Sequence, residues 1–205
     1  MTLSFWLILL AAIIYGLLHS LLASLKTKAC ARQWLGSHTD RWFRLGYNII
    51  AAVTLLPILF LPILLPDKEI YTIHFPWIIL SLAIQLSAAT ILLIGLKQTG
   101  ISTFIGLRQA FLPEDTTPPR LVTDGLYRYV RHPLYTAGLV ILWLLPRLTW
   151  NLLALNIGLT AYIAAGAHFE ERKLLAEFGD AYAKYQDRTP MLLPWVKLGR
   201  SKQQN

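Results

Sequence analysis

The sequence contains very little cysteine and no pattern of metal ligands. Cys30 is the single cysteine in 205 residues, which excludes an internal disulfide bond and a cysteine metal cluster. Both of its neighbours are alanines, so we expect an inert side chain rather than a nucleophile. The histidines, at positions 19, 38, 74, 132 and 168, do not have the spacing of metal ligands. We therefore expect no metal site in this protein.

Charged residues are also scarce. They make up only 15% of the chain, whereas 55% of the residues are hydrophobic. This is more apolar than an ordinary soluble domain and indicates a polytopic membrane protein. The formal net charge is +8, but the basic residues lie between long apolar runs. We interpret them as topology signals and contacts with membrane lipids, and we expect no nucleic-acid partner.

The N-terminal half predicts three membrane spans, because about 20 apolar residues cross a bilayer as a helix. The apolar runs lie at about residues 3–25, 43–65 and 75–96. The first run lacks the basic leading segment and cleavage site of a signal peptide, so we expect it to remain as a helix. Pro57 and Pro62 predict a bend toward the outer end of the second span.

The apolar region after residue 133 predicts a helical hairpin with one short arm. Residues 134–145 give only about 18 Å of helix, less than the roughly 30 Å hydrocarbon core, whereas residues 148–167 can span it. Pro146-Arg147 would form the turn. A kinked re-entrant pair is the alternative. Residues 168–184 are amphipathic and predict a helix on the cytoplasmic surface, folded back over the loop before the hairpin.

Lysine and arginine are concentrated in residues 26–42, 98–131 and 168–205, which the positive-inside rule makes cytoplasmic. The predicted fold is an all-α polytopic membrane protein of about five transmembrane helices. We expect it in the bacterial inner membrane, with its N-terminus outside and its C-terminus in the cytoplasm. No internal repeat is visible, which argues against the commonest transporter architectures.

The polar stretch at residues 125–138 is the most informative part of the chain. It reads Gly-Leu-Tyr-Arg-Tyr-Val-Arg-His-Pro-Leu-Tyr-Thr-Ala-Gly. Pro133 disfavours a helical conformation for the residue before it and fits a first helical turn, so a helix should begin there. The helix N-terminus would face Arg131 and His132 and suit an anionic ligand. The composition alone is equally typical of a basic, aromatic belt at a membrane interface.

The spacing of two sequence blocks resembles a known family. The first block is Leu121-Val122-Thr123-Asp124-Gly125-Leu126-Tyr127, then Arg131-His132-Pro133-Leu134-Tyr135 and Gly138. The second is Phe169-Glu170-Glu171-Arg172-Lys173-Leu174-Leu175, then Phe178-Gly179, Tyr182, Tyr185, Thr189-Pro190 and Leu193-Pro194. They resemble the cofactor motif and C-terminal tail of the isoprenylcysteine carboxyl methyltransferases, which belong with bacterial phospholipid N-methyltransferases and small-thiol S-methyltransferases. The resemblance implies an integral membrane enzyme that uses S-adenosylmethionine.

This resemblance also implies a set of cofactor-binding residues. The backbone of Leu121 and Val122 would contact the adenine, and Glu170 would take a cationic or hydroxyl group. The other residues of the implied set are Tyr127, His132, Pro133, Leu134 and Tyr135. Together the two blocks contain the aromatic, cationic, acidic and apolar groups that this cofactor needs. Methyl transfer depends mainly on positioning and desolvation and requires no metal.

Glu170 is also a candidate catalytic group. Three further side chains are such candidates, and each has an alternative role. Arg131 could bind the cofactor carboxylate or steer an anionic substrate, or it could form a structural pair with Glu170 or Glu171. His19 could accept a proton from the substrate, or simply bond to a neighbouring helix. Arg44, which shares a helix face with Tyr47 and Asn48, could favour a thiolate, or it could extend to lipid headgroups.

The acceptor is the least determined part of the prediction. In the isoprenylcysteine enzymes we would expect an arginine one turn before the first glutamate of the tail, to hold the substrate carboxylate. Gly166 occupies that position here, and burying a carboxylate without a donor is costly. His19-Ser20 and Arg44 with Tyr47-Asn48 resemble the small-thiol branch, so we predict a small or membrane-soluble acceptor, with a thiol as the best candidate.

Other functions stay open at this point. Carboxyl methylation of isoprenylcysteine and N-methylation of phospholipids are alternatives within the same family. An alternative of another class is a non-enzymatic accessory membrane protein, of the kind found near denitrification enzymes, and no protein partner is predicted. We divide the chain into residues 1–97, transmembrane helices on the substrate side, residues 98–194, which bind the cofactor, and residues 195–205, a disordered basic end.

Overall fold

The computed structural model describes residues 2–36, 38–112 and 120–194, so the predicted basic end at 195–205 lies outside the described residues. The helices are α1 (Leu3–Leu22), α2 (Leu25–Leu35), α3 (His38–Leu64), α4 (Trp77–Thr99), α5 (Ile101–Ile105), α6 (Leu107–Phe111), α7 (Pro133–Trp143), α8 (Trp150–Phe178) and α9 (Asp180–Arg188). A 3-10 turn covers Gly125–Arg128, and two short strands are β1 (Glu69–Thr72) and β2 (Arg147–Thr149).

The predicted all-α membrane fold is confirmed. Within the described residues, the four helices α1, α3, α4 and α8 are long and apolar enough to cross a membrane. The prediction counted a fifth segment, and that segment is α7, which has 11 residues and a length of only about 16 Å. The chain is therefore an integral membrane protein with four helices of spanning length and a hairpin, α7–α8, whose first arm is short.

The contact between α1 and α8 forms the centre of the helix bundle. Gly158 of α8 lies so close to α1 that a Cβ atom at this position would be 2.4 Å from the Cβ of Ala12. Phe5, Ile8 and Ala154 are almost fully buried around the same contact. Lipid provides little hydrophobic driving force between helices, so small residues that allow close backbone approach stabilise such a pair.

Polar side chains of α4 and α8 donate to backbone carbonyl groups at the end of the short helix α7. Gln85 of α4 donates to the carbonyl of Ile141 at 3.2 Å, and Asn156 of α8 donates to that of Leu142 at 2.6 Å. The Ser81 hydroxyl donates to the carbonyl of Leu144, the residue directly after the helix, at 3.1 Å. Unpaired backbone groups are expensive where no water is present, so these polar side chains make a short membrane helix possible.

A two-stranded antiparallel sheet, β1–β2, was not predicted. It joins the α3–α4 connection to the turn of the hairpin, and Glu69 and Arg147 form an ion pair at 3.0 Å beside it. Asn151, which is fully buried, donates to the carbonyl of Leu65 at 3.2 Å in the same region. Strands of three and four residues are too short to give an alternating pattern, which explains why the sequence did not reveal them.

Two predicted boundaries at the C-terminal side were wrong. The helix that contains the last predicted span does not end near residue 167, because α8 continues without interruption to Phe178. The amphipathic stretch 168–184 is therefore divided between the end of α8 and the separate helix α9. The expectation that the tail folds back over the loop before the hairpin is met, since the Tyr185 hydroxyl donates to the carbonyl of Tyr127.

Candidate functional site

A cavity of about 250 Å³ lies where α4, the start of α7, the end of α8 and α9 meet. Its lining includes all eight residues for which the sequence predicted a cofactor contact: Leu121, Val122, Tyr127, His132, Pro133, Leu134, Tyr135 and Glu170. These residues come from segments 35 or more positions apart in the chain. Folding therefore brings the two sequence blocks together around one space, although their contact with a cofactor remains a prediction.

The loop that carries Tyr127 is held between α4 and α9. Gly125 has φ +60, a conformation that favours glycine, and a Cβ atom there would lie 2.5 Å from the amide nitrogen of Gln98. The Tyr127 and Thr99 hydroxyls are hydrogen bonded at 3.0 Å. The carbonyl of Tyr127 accepts the hydrogen bond from Tyr185. One wall of the cavity is thus fixed by residues of both neighbouring helices.

The helix predicted to begin at Pro133 does begin there. His132 precedes it in a non-helical conformation (φ −126), as expected for a residue before proline. Two backbone hydrogen bonds then cover this helix start: the N–H of Arg131 donates to the carbonyl of Pro190 at 2.9 Å, and that of His132 to Met191 at 3.1 Å. The tail therefore pairs with the residues just before α7 rather than lying loosely on the membrane surface.

Glu171 is a buried carboxylate that ties three segments together. Arg131 donates to both of its oxygens, at 2.7 Å from Nε and 2.8 Å from Nη2. His132 Nε2 lies 2.8 Å from Oε1, and the Tyr182 hydroxyl donates to the same oxygen at 2.7 Å. Gln186 donates to the other oxygen. A buried charge needs such partners, so Glu171 joins α8 both to the start of α7 and to α9.

Arg131 is used mainly for this structural pair. Besides its two bonds to Glu171, its Nη1 group donates to the carbonyls of Gln186 and Thr189. Four of the five guanidinium N–H groups therefore have partners in the protein. Of the two roles considered for Arg131, the geometry favours the ion pair over direct binding of a carboxylate in the cavity.

The neighbouring Glu170 is arranged differently. Its side chain is 46% exposed and lines the cavity. The Tyr135 hydroxyl donates to Oε2 at 2.9 Å, and His132 Nδ1 lies 3.6 Å from the same oxygen. Two adjacent glutamates thus have different tasks, because Glu171 holds the tail in place whereas Glu170 presents a carboxylate to the cavity.

His132 lies between the two glutamates and is only 5% exposed. Burial lowers its pKa, but the hydrogen bonds with Glu170 and Glu171 raise the pKa by more, so that the net result lies above the ordinary value of 6.5. The protonated ring can donate from both nitrogens. The Tyr135 ring stacks on it with centroids 5.3 Å apart. This places a cation and an aromatic face at the wall of the cavity.

His19 and Arg44, the two candidates from the N-terminal helices, do not line this cavity. His19 lies among tyrosine rings of α1, α3 and α8. Arg44 donates to the carbonyl of Thr103 at 3.3 Å, and Asn48 donates to that of Ile105 at 2.8 Å. The face of α3 that includes Arg44 and Asn48 therefore holds the end of α5, a contact that the sequence did not reveal.

Several lining residues were not predicted: Gln98, Thr99, Arg120, Leu174, Phe178, Tyr182 and Tyr185. For four of them a signal was present, since Leu174, Phe178, Tyr182 and Tyr185 stand in the second sequence block. Leu174 and Phe178 also follow Glu170 at intervals of four residues and so share its helix face. Arg120 directly precedes the predicted loop contacts. Gln98 and Thr99 had no signal, because nothing in the sequence shows that the end of α4 reaches this loop.

The described residues contain no group of three or more histidine, cysteine, aspartate or glutamate side chains that could hold a metal ion. Residues 76–181 match the family model described as phospholipid methyltransferase. This segment includes α4, the hairpin and most of the cavity lining.

Proteins with similar sequences are named as methyltransferases. Methanethiol S-methyltransferase 1 of Bradyrhizobium diazoefficiens is 32% identical over 91% of this chain and 66% of its own length. Methanethiol S-methyltransferase of Mycobacterium tuberculosis is 42% identical over 44% of the chain and 38% of its length. Protein-S-isoprenylcysteine O-methyltransferase of Schizosaccharomyces pombe is 35% identical over 37% and 34%. The chain thus spans less than two thirds of these relatives, and no solved structure matches it.

Proposed function

The chain belongs to the phospholipid methyltransferase family, and we propose that it transfers the methyl group of S-adenosylmethionine to a small thiol within the membrane. The observation that carries this proposal is the convergence of both sequence blocks on one cavity. The names of the relatives support the reaction type and the thiol. We further propose that residues 98–194 bind the cofactor and residues 1–97 form the acceptor side.

The residues around the cavity fit the proposed cofactor. Glu170 presents a half-exposed carboxylate for an ammonium or hydroxyl group, and the rings of Tyr127 and Tyr135 suit a sulfonium cation. Leu174 and Phe178 add apolar surface for an adenine beside Leu121 and Val122. When bound, the cofactor supplies the electrophilic methyl group.

Arg120 is our candidate for the group that binds the cofactor carboxylate. Both Arg120 and Arg131 line the cavity, but Arg131 already uses most of its donors on Glu171 and the tail carbonyls. Guanidinium–carboxylate pairs are strong and geometrically specific. We assign Arg131 a positioning role, because its ion pair fixes Glu171 and, through it, the His132 ring.

A small thiol suits the site better than a carboxylate substrate. A Cβ atom at Gly166 would have no other atom within 4 Å, so one turn before Glu170 there is open space rather than a cationic side chain. Arg44, the cationic candidate in the N-terminal helices, donates to the carbonyl of Thr103. The positive field that favours a thiolate would then come from the cofactor sulfonium itself.

We also propose that the protein lies in the bacterial inner membrane with the N-terminus outside and the C-terminus in the cytoplasm. The basic segments 26–42, 98–131 and 168–205 support this orientation. The cofactor cavity, which is built from the second and third of these segments, would then open toward the cytoplasm, where the cofactor is made. Besides the acceptor, the only partners in this proposal are membrane lipids.

Two measurements test the proposal. Titration calorimetry of the detergent-purified chain with S-adenosylmethionine should show binding; no heat up to millimolar cofactor would favour the accessory-protein alternative. Labelled S-adenosylmethionine is then incubated with methanethiol, a farnesylcysteine analogue or phosphatidylethanolamine in separate reactions. We expect the label to appear in the methyl thioether formed from methanethiol. Transfer only to the farnesylcysteine carboxylate or only to the lipid amine would overturn the thiol assignment while leaving the methyltransferase assignment intact.

A further inference from the structure

His19 is enclosed by tyrosine rings from three helices. The centroid of its ring lies 5.5 Å from that of Tyr162 in α8, 5.9 Å from that of Tyr47 in α3 and 6.0 Å from that of Tyr15, one turn earlier in α1. Tyr15 and Tyr162 also contact each other at 5.5 Å. We call these four side chains the ring cluster. It joins the three helices near the end of α1 that leads into the basic segment 26–42.

The ring cluster contains a polar atom without a partner. His19 Nδ1 is buried and has no hydrogen-bond partner among the described residues. Leaving a buried polar group unpaired costs free energy, so native structures rarely keep one unless a ligand, water or reaction uses it. The titratable groups that contact His19 from its own and the neighbouring helices are the three tyrosines. None of these contacts pairs the imidazole with a carboxylate or a cation.

One face of α8 leads from the ring cluster to the cofactor cavity. Tyr162, Gly166 and Glu170 follow at intervals of four residues, and neighbours at this spacing share a helix face. Tyr162 and Glu170 are about 12 Å apart along the helix axis. Gly166 lies between them and leaves its side of the helix open. At the cavity end of this face, the Tyr135 hydroxyl donates to Glu170 at 2.9 Å. The space between the two sites is therefore bordered at both ends by polar aromatic groups.

We propose that the thiol acceptor binds over Gly166, beside the ring cluster, and that His19 accepts the thiol proton. This inference rests on the proposed function. In the reaction, the S–H proton passes to a nitrogen of neutral His19, and a sulfur lone pair forms the new S–C bond as the C–S bond of the sulfonium breaks. The products are a methyl thioether, S-adenosylhomocysteine and protonated His19, which returns its proton to solvent.

The chemistry of the ring cluster matches such a ligand. Sulfur makes favourable contacts with aromatic rings, and an imidazole nitrogen can accept the weak S–H hydrogen bond. Only the thiolate is a good nucleophile, so a positioned base is useful at a pH where the thiol is still protonated. Glu170 is less suited to this role, because it already accepts a hydrogen bond from Tyr135 and lies beside His132.

The test uses His19→Gln in the full chain, with the exposed Leu18→Ala as the control at the same depth. Methyl transfer is measured from pH 6 to pH 10 with methanethiol, and with thiophenol, which ionises at much lower pH. Loss of a positioned base should lower the neutral-pH kcat for methanethiol about 10²-fold or more. The loss should shrink at high pH and for thiophenol, because solution then supplies the thiolate. The cofactor affinity of His19→Gln and the activity of Leu18→Ala should stay unchanged.

If His19→Gln lowers kcat equally at every pH and with both thiols, His19 has only a structural role. Methyl transfer by the unsubstituted chain would still support the proposed function. If the unsubstituted chain neither binds the cofactor nor methylates any thiol, the proposed function itself fails. If His19→Gln does not fold, the pH profile of kcat/KM for the unsubstituted chain shows whether the protein supplies a base. Without a protein base, kcat/KM for methanethiol rises tenfold per pH unit up to the pKa of the thiol. With His19 as base, it levels off well below that pKa.

Discussion

Arg131 and Glu171 form a buried, two-bond ion pair, with Nε 2.7 Å from Oε1 and Nη2 2.8 Å from Oε2. The two residues are 40 positions apart in the chain, and their side chains are only 11% and 10% exposed. The pair connects the start of α7 with the end of α8, and the further bonds of Arg131 to tail carbonyls extend the connection to α9. The cavity wall formed by His132 depends on this arrangement.

Glu171→Ala should therefore destabilise the protein, whereas Glu170→Ala should not. Removing Glu171 leaves a buried arginine without its counter-ion, which costs about 3–5 kcal/mol. Glu170 is half exposed and has fewer partners, so its removal should leave the unfolding temperature nearly unchanged but lower cofactor affinity by one to two decades. Thermal unfolding in detergent and cofactor titration measure the two effects. Similar unfolding temperatures for the two variants would contradict the division of roles.

Arg120→Ala should weaken cofactor binding more than Arg172→Ala. Arg120 lines the cavity, whereas Arg172 lies on the exposed side of α8 and serves as the matched control. A charge-assisted contact is worth about 1.5–3 kcal/mol, so loss of Arg120 should raise the Kd about 10- to 100-fold. Equal Kd values for the two variants would remove Arg120 from the proposed site and would favour Arg131 as the carboxylate ligand.

Much of this site was predictable because its residues stand in two compact motifs. Tyr127, His132 and Tyr135 could be selected because the motifs resemble those of a known family, and the start of α7 followed from Pro133. The roles of Arg131 and the two glutamates could not be separated in the same way. Adjacent residues on a helix point about 100° apart, and only the position of α9 decides which glutamate is buried.

The fold was predictable to a similar extent. Apolar run length revealed α1, α3, α4 and α8, since a bilayer requires about 20 such residues. The end of α8 was placed about ten residues too early, because the change from apolar to amphipathic sequence marks the membrane surface rather than the end of the helix. The contact of Gln98 with Gly125 depends on long-range packing that no local pattern encodes.

The stability of the protein should fall as pH rises above neutrality, and His132 should account for part of this slope. Its pKa is raised in the folded state, so the stabilisation it provides is complete below about 6.5, the pKa of an unfolded histidine. This stabilisation is lost as pH rises through the raised value. Unfolding temperatures measured from pH 6 upward should show a smaller decrease for His132→Gln than for the unsubstituted chain. The exposed His168→Gln is the control and should keep the full decrease.

The proposed orientation predicts which engineered cysteines react from each side of the membrane. After Cys30→Ala, Ser102→Cys and Ala183→Cys should be labelled only by reagents that enter the cytoplasm, because both positions lie in basic segments. Lys68→Cys, in the exposed connection between α3 and α4, should react with an impermeant maleimide added outside. Strong outside labelling at Ser102→Cys or Ala183→Cys would reverse the orientation and move the cofactor cavity away from the cytoplasm.

Because the carbonyls at the end of α7 lack partners within the helix, Asn156→Leu should destabilise the protein more than Ser87→Ala. Asn156 is 1% exposed and donates to the carbonyl of Leu142, which has no partner within the helix. Loss of this donor leaves a buried acceptor unpaired, at a cost of about 1–3 kcal/mol. Ser87 donates to the carbonyl of Ala83 within its own helix, so its loss leaves no orphan group.

The location of the two substitutions sharpens this last test. Asn156 acts at Leu142, about 14 Å along α7 from the cavity wall at Pro133, so the cofactor affinity of the folded fraction should not change. Asn156→Leu should therefore lower the unfolding temperature in detergent while the Kd for S-adenosylmethionine stays within twofold of the unsubstituted value. An unfolding temperature as high as that of Ser87→Ala would mean that the end of α7 reaches water or headgroups instead of the hydrocarbon layer, because a carbonyl in water needs no protein donor.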